Sequence, residues 1–111
     1  MSRIKVKKSP EMDALFQAVL KLENLEECYA FFSDLLTVQE AGAFAQRMQV
    51  AAMLAQGQTY ESIRSQVPVS SSTITRINTE LRYGSGGYQM VLDRLSQDRE
   101  EKPEDRGEKQ D

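Results

Sequence analysis

A chain of 111 residues, 40% hydrophobic and 28% charged, fits one small globular domain, and no apolar run in it approaches the roughly 18 residues that span a bilayer. One cysteine, Cys28, and no histidine exclude an intramolecular disulfide, a cysteine-based zinc cluster within one chain and the Cys-His and Ser-His nucleophile pairs. The net charge of -3 belongs to the end of the chain: from Asp93 onward there are eight acids and five bases, whereas residues 1–92 balance at nine of each.

No carboxylate pair stands out from ordinary helix-surface charge, so the composition points away from an enzyme, a metal site or a cofactor. The basic start Arg3, Lys5, Lys7, Lys8 runs into Ser9-Pro10-Glu11 and not into the apolar stretch of a signal peptide. The expected location is therefore the cytoplasm, without a membrane partner. Residues 1–8 read as a flexible basic arm, of a kind that a phosphate backbone can order.

Ser9 is placed to cap a helix with Pro10 at its first position, and Leu15, Phe16, Val19, Leu20 and Leu22 give that helix an apolar face. A second helix is expected from Asn24, with Leu25, Cys28, Phe31, Phe32, Leu35 and Leu36 on one side. Thr37-Val38-Gln39-Glu40 has capping-box spacing. From it Phe44, Met48, Ala51, Ala52 and Ala55 keep a helical period up to Gly57, a left-handed stop.

Thr59 to Gln66 predicts a short helix, Ser70 to Tyr83 another with Gly84 as its stop, and Gly87 to Leu95 a last one. The fold class is all-α, about six helices. Beyond Leu95 the chain alternates charges and holds Pro103 and Gly107, so residues 96–111 read as a charged tail without fixed structure. The folded domain is expected over 9–95.

The stretch from Thr59 to Asn78 carries the functional signal. Two short helices flank a turn at Pro68, and Ile63, Val67, Val69, Ile74 and Ile77 fall on the inner side, which is helix-turn-helix spacing. Ser70, Ser71, Ser72, Thr73, Thr75, Arg76 and Thr79 are left outside. Short hydroxyls and the N–H groups of a helix start can bind phosphates and allow close approach, while Thr75 and Arg76 can reach base edges. The same spacing also describes two packed helices of a bundle that never meets DNA. Pro68 stands where such a turn commonly uses a glycine with positive φ, so this turn must differ from the common one.

Leu36-Thr37-Val38-Gln39-Glu40, Arg47, Gly57 and the run Ser72-Thr73-Ile74-Thr75-Arg76 together resemble the Trp repressor superfamily. Asn78, Leu81-Arg82-Tyr83-Gly84 and the helix from Tyr88 to Leu95 are similar to its bacterial branch of YerC/YecD-type Trp repressor-like proteins. The resemblance covers roughly Ser9 to Leu95. It implies an intertwined homodimer whose N-terminal helices share one core, each chain presenting a helix-turn-helix to double-stranded DNA as a sequence-specific regulator and repressor. Arg64 then matches a basic residue near the DNA, and Glu61 is an acid that would face phosphates.

The same resemblance implies an effector site at Thr37, Arg47 and Arg76, the two arginines flanking the indole of a tryptophan corepressor. Ile77 stands where that pocket has glycine and Glu80 where it has serine, so tryptophan is not expected to bind and the effector is left unnamed. The alternative reading is a helical, dimeric protein-interaction module that keeps the helix-turn-helix only as a packing unit.

Overall fold

The computed structural model describes residues 3–101, leaving out the side chains of Glu100 and Glu101. Among these residues there are six helices and no strand: α1 (Pro10–Val19), α2 (Leu25–Leu35), α3 (Val38–Ala55), α4 (Tyr60–Gln66), α5 (Ser71–Tyr83) and α6 (Gly87–Glu101). Five of them begin at a side-chain cap with extended backbone. Ser9, Asn24, Thr37, Thr59 and Ser70 each accept a bond from the backbone N–H three residues on, at 2.9 to 3.2 Å. At the start of α3 the box closes, because Glu40 Oε1 also accepts from the Thr37 backbone N–H at 2.9 Å. Such caps satisfy donors that the helix itself cannot, and each is worth about 0.5–2 kcal/mol.

The helix ends differ in chemistry. Gly57, at φ 88°, closes α3 with paired bonds from its own N–H to Leu54 O at 3.0 Å and from the Gln58 N–H to Met53 O at 3.1 Å, a left-handed stop that favours glycine. Gly84 also ends its helix, but at φ -81°, which any residue can adopt. It is required by space: a Cβ there would lie 2.4 Å from the Glu80 carbonyl oxygen. The left-handed residue of this connection is Gly86, at φ 92°.

α6 runs six residues past the expected end at Leu95. Ser96 to Glu101 contains no glycine or proline, and Gln, Arg and Glu all favour helix. The expected unstructured tail is thus helical over 96–101, and its remainder, 102–111, lies outside the described residues.

α3 is the central rod, against which α2, α5 and α6 pack, while α4 and α6 also pack on α5. Its last two turns supply Val50, Ala51, Met53 and Leu54 to a core completed by Ile63, Val67, Ile74 and Ile77, with Tyr60, Val69, Leu81 and Tyr88 half-buried around it. The core therefore sits under the two helices of the motif. α1 and α2 bury no residue at all.

Because Ile74 is completely buried beneath α5, Ile74→Ala should cost about 2–5 kcal/mol, against about 0.5–2 kcal/mol for Thr37→Ala at the cap. Denaturant unfolding of both variants checks the order. An Ile74→Ala loss smaller than the Thr37→Ala loss would contradict this placement of the core.

Candidate nucleic-acid interface

α4 and α5 are joined by a turn that needs no left-handed residue. Val67 is extended (φ -131°, ψ 132°), and its carbonyl accepts from the Val69 N–H at 2.8 Å, which makes Pro68 the centre of an inverse γ-turn. That turn wants φ near about -75°, close to the value the proline ring imposes. Gln46 of α3 donates from Nε2 to the Pro68 carbonyl at 3.3 Å, so the turn is tied to the rod behind it. Ile63 and Val67 before the turn, and Ile74 and Ile77 after it, are all buried.

With its inner side fixed, α5 presents its first turns outward. The candidate residues there divide by what their side chains already do. Ser70 Oγ caps the helix, donates to Thr73 Oγ1 at 3.0 Å and lies 3.1 Å from Ser72 Oγ. Thr73 is half-buried. Thr79 Oγ1 donates to the Thr75 carbonyl one turn back, at 2.9 Å. Ser71, Thr75 and Arg76 are exposed with no side-chain hydrogen bond or ion pair among the described residues, and Ser72 is exposed beside the cap.

Arg64, in the last turn of α4, is likewise exposed and unpaired among the described residues. The available outer groups are thus hydroxyls around Ser71, Ser72 and Thr75 and the guanidinium groups of Arg64 and Arg76. One acid of α4, Glu61, is exposed in its first turn. Further along α5, Arg82 donates from Nε to Asn78 Oδ1 at 3.0 Å.

The three residues of the effector expectation are not all brought together within one chain. Arg47 and Arg76 line one cleft of about 290 Å³, together with Lys5, Ile77, Glu80 and Tyr88. Arg47 is steadied from its own helix, its guanidinium lying 5.3 Å over the Phe44 ring. Thr37 is elsewhere: its hydroxyl caps α3, and it lines a groove of about 520 Å³ with Cys28, Phe32 and Val38. Of the cleft residues, Lys5 and Tyr88 lay outside the sequence-based site. Lys5 is 75 positions from its partner Glu80, so local spacing carries no signal for it.

Among the described residues, no helix is long and apolar enough to cross a membrane, and no group of three or more Cys, Asp or Glu is placed to hold a metal ion. Comparison with known proteins bears on this all-helical arrangement directly. The model of the Trp repressor protein family matches residues 10–96. The uncharacterised protein YerC of Bacillus subtilis is 46% identical over 87 residues, covering 78% of this chain and 84% of its own length.

Two solved structures agree in fold. A Staphylococcus aureus protein, provisionally designated a Trp repressor, superposes with a TM-score of 0.77 at 46% identity, over 80% of this chain and 89% of its own. A TrpR-like protein from Eubacterium eligens gives 0.78 at 42% identity, over 80% of this chain and 92% of its own. A helix-turn-helix held on a long central helix, the matching residues 10–96 and these relatives together place the chain in the Trp repressor family.

Proposed function

We propose that this protein is a cytoplasmic, sequence-specific DNA-binding regulator, a repressor by its family, that acts as a homodimer through α4 and α5. The observation that carries the reading is the outer face of α5. Its inner side chains Ile74 and Ile77 are fixed in the core, while Ser71, Ser72, Thr75 and Arg76 stand exposed at its N-terminal end with Arg64 beside them on α4. Hydroxyls and helix-start N–H groups hold phosphates, and an arginine can pair with both acceptors of guanine. Ser70, Thr73 and Thr79 have a supporting role, since their hydroxyls already serve the helix.

Dimerisation is supported by α1 and α2. Leu20, Leu25, Tyr29 and Val38 are 80%, 77%, 76% and 91% exposed, and Phe16, Leu35 and Phe44 are about half exposed. This many exposed large apolar side chains on a small chain call for a partner, and a second copy supplies a matching set. Phe31 and Phe32, packed edge to face with centroids 5.3 Å apart, are half-buried, and Phe32 lines a groove with Leu25, Tyr29 and Val38. Phe32→Asp should convert the dimer to monomer in sedimentation at micromolar concentration and lower the melting temperature with it. A native chain that sediments as a monomer would refute the dimer.

Two recognition helices of such a dimer enter successive major grooves about 34 Å apart, so the DNA site is a palindrome with half-sites about one turn apart. Fluorescence anisotropy with duplexes selected from a random pool tests this. Affinity should fall steeply with salt, and Arg64→Ala should weaken every sequence alike and flatten the salt slope by about one unit per lost phosphate contact in each subunit. Thr75→Ala should in addition relax sequence preference. Selection that enriches no sequence would leave the protein-interaction module as the better account.

The cleft between Arg47 and Arg76 does not take tryptophan. Ile77 lines it while also belonging to the core, and Glu80 adds an acid to the lining, which disfavours the carboxylate of an amino acid. Forcing an indole past Ile77 costs about 1–3 kcal/mol, and each 1.4 kcal/mol is about tenfold in affinity. Titration calorimetry with tryptophan should show no saturable heat at micromolar concentration. Saturable binding abolished by Arg76→Ala would contradict this.

A further inference from the structure

Residues 3–8 carry Arg3, Lys5, Lys7 and Lys8 and no acid, and two ion pairs fasten them to the folded chain. Lys8 Nζ donates to both carboxylate oxygens of Asp13 in the first turn of α1, at 2.9 and 2.8 Å. Lys5 Nζ donates to Glu80 Oε2 on α5 at 2.7 Å. The first pair spans five positions and the second 75. Only the second closes the arm onto the motif.

The choice of partner at Glu80 is informative. Arg76 lies one helical turn before it and Arg47 lines the same cleft, yet neither pairs with it among the described residues. Its carboxylate faces the arm instead, with Oε1 folded over the helix end, where a Cβ on Gly84 would come within 2.8 Å. Glu80 is the one acid of the cleft, and it is engaged by a residue from outside the helical domain.

We propose that residues 3–8 form an intramolecular strap, latched to α5 by Lys5 and Glu80, that withholds Lys5 from DNA until phosphates compete for it. This rests on α5 as the DNA-facing helix. The two side chains are 73% and 38% exposed, and an exposed pair of this kind shifts an equilibrium by no more than about fivefold. A latch that weak holds the arm in the free protein and yields to the dense negative charge of a duplex, where lysine exchanges one anionic partner for another. Arg3 and Lys7, which pair with nothing among the described residues, travel with it.

Nitrogen-15 relaxation on the full chain at low salt tests the latch without DNA. Backbone order parameters of residues 4–7 should lie above about 0.6 in the native chain and fall below it in Lys5→Gln, in Glu80→Gln and in about 0.5 M salt. Combining Lys5→Glu with Glu80→Lys should restore them. An arm that is flexible in the native chain, or equally ordered in all variants, overturns the proposal. Duplex binding then tests the withholding through a double-mutant cycle. Removing an acid helps any DNA binder, so the decisive quantity is the difference between backgrounds: Glu80→Gln should gain a further two- to fivefold, on the order of one exposed ion pair, when position 5 is Lys and not Gln. Equal gains overturn the strap while leaving DNA binding intact, whereas ordered arms with no duplex binding by any variant overturn the DNA reading.

Discussion

The packing of α3 against α5, with α4 carried on α5, is the interaction on which the rest of the structure depends. Val50, Ala51, Met53 and Leu54 of α3 join Ile63, Val67, Ile74 and Ile77 in one cluster, and these residues form the buried core of the described chain. Neither α4, with seven residues, nor α5, with thirteen, is long enough to be stable as an isolated helix in water. Their conformations follow from burial in this shared core. The outward direction of Thr75 and Arg76 is then fixed, since they sit between Ile74 and Ile77 on the same helix. The exposed polar face of α5 is obtained here as the far side of a packing requirement.

The same concentration of core at one end leaves the other end open. α1 and α2 are capped as securely as the rest, and their apolar faces are as regular, yet they bury no residue within the single chain. α2 packs on α3 yet keeps Phe31 and Phe32 only half-buried, while Leu20, Leu25 and Tyr29 stay largely exposed. In the homodimer we propose, the N-terminal helices of one copy complete a core with the matching helices of another.

The parts of this arrangement that were legible in the sequence are those set by nearby residues. The caps at Ser9 and Thr37 and the helix starts at Asn24, Thr59 and Ser70 depend on a side chain and an N–H three positions away, and the inner isoleucines declare themselves by period. Gly57 was legible as a left-handed stop for the same reason. Gly84 was legible as a stop, but its cause, the Glu80 carbonyl beneath it, was not. Pro68 signalled an unusual turn without naming it; the γ-turn and the Gln46 tether depend on a helix 22 positions away. Thr37 matched a family position, yet within one chain it lies apart from Arg47 and Arg76, because that grouping depends on tertiary geometry. The end of α6 lies beyond the expected one because charge alone does not end a helix: a stretch free of glycine and proline that holds Gln97, Arg99, Glu100 and Glu101 can extend a helix whose Tyr88 packs against the core.

The central claim is that α5 reads DNA in pairs, and recovery of the DNA crosslinked to this protein in cells tests it most directly. The account predicts discrete enriched sites that share a two-fold symmetric motif with half-sites about one helical turn apart, lost when Arg76 and Thr75 are both replaced by alanine. Crosslinked DNA with no enrichment over background, or enrichment that survives that replacement unchanged, would contradict it.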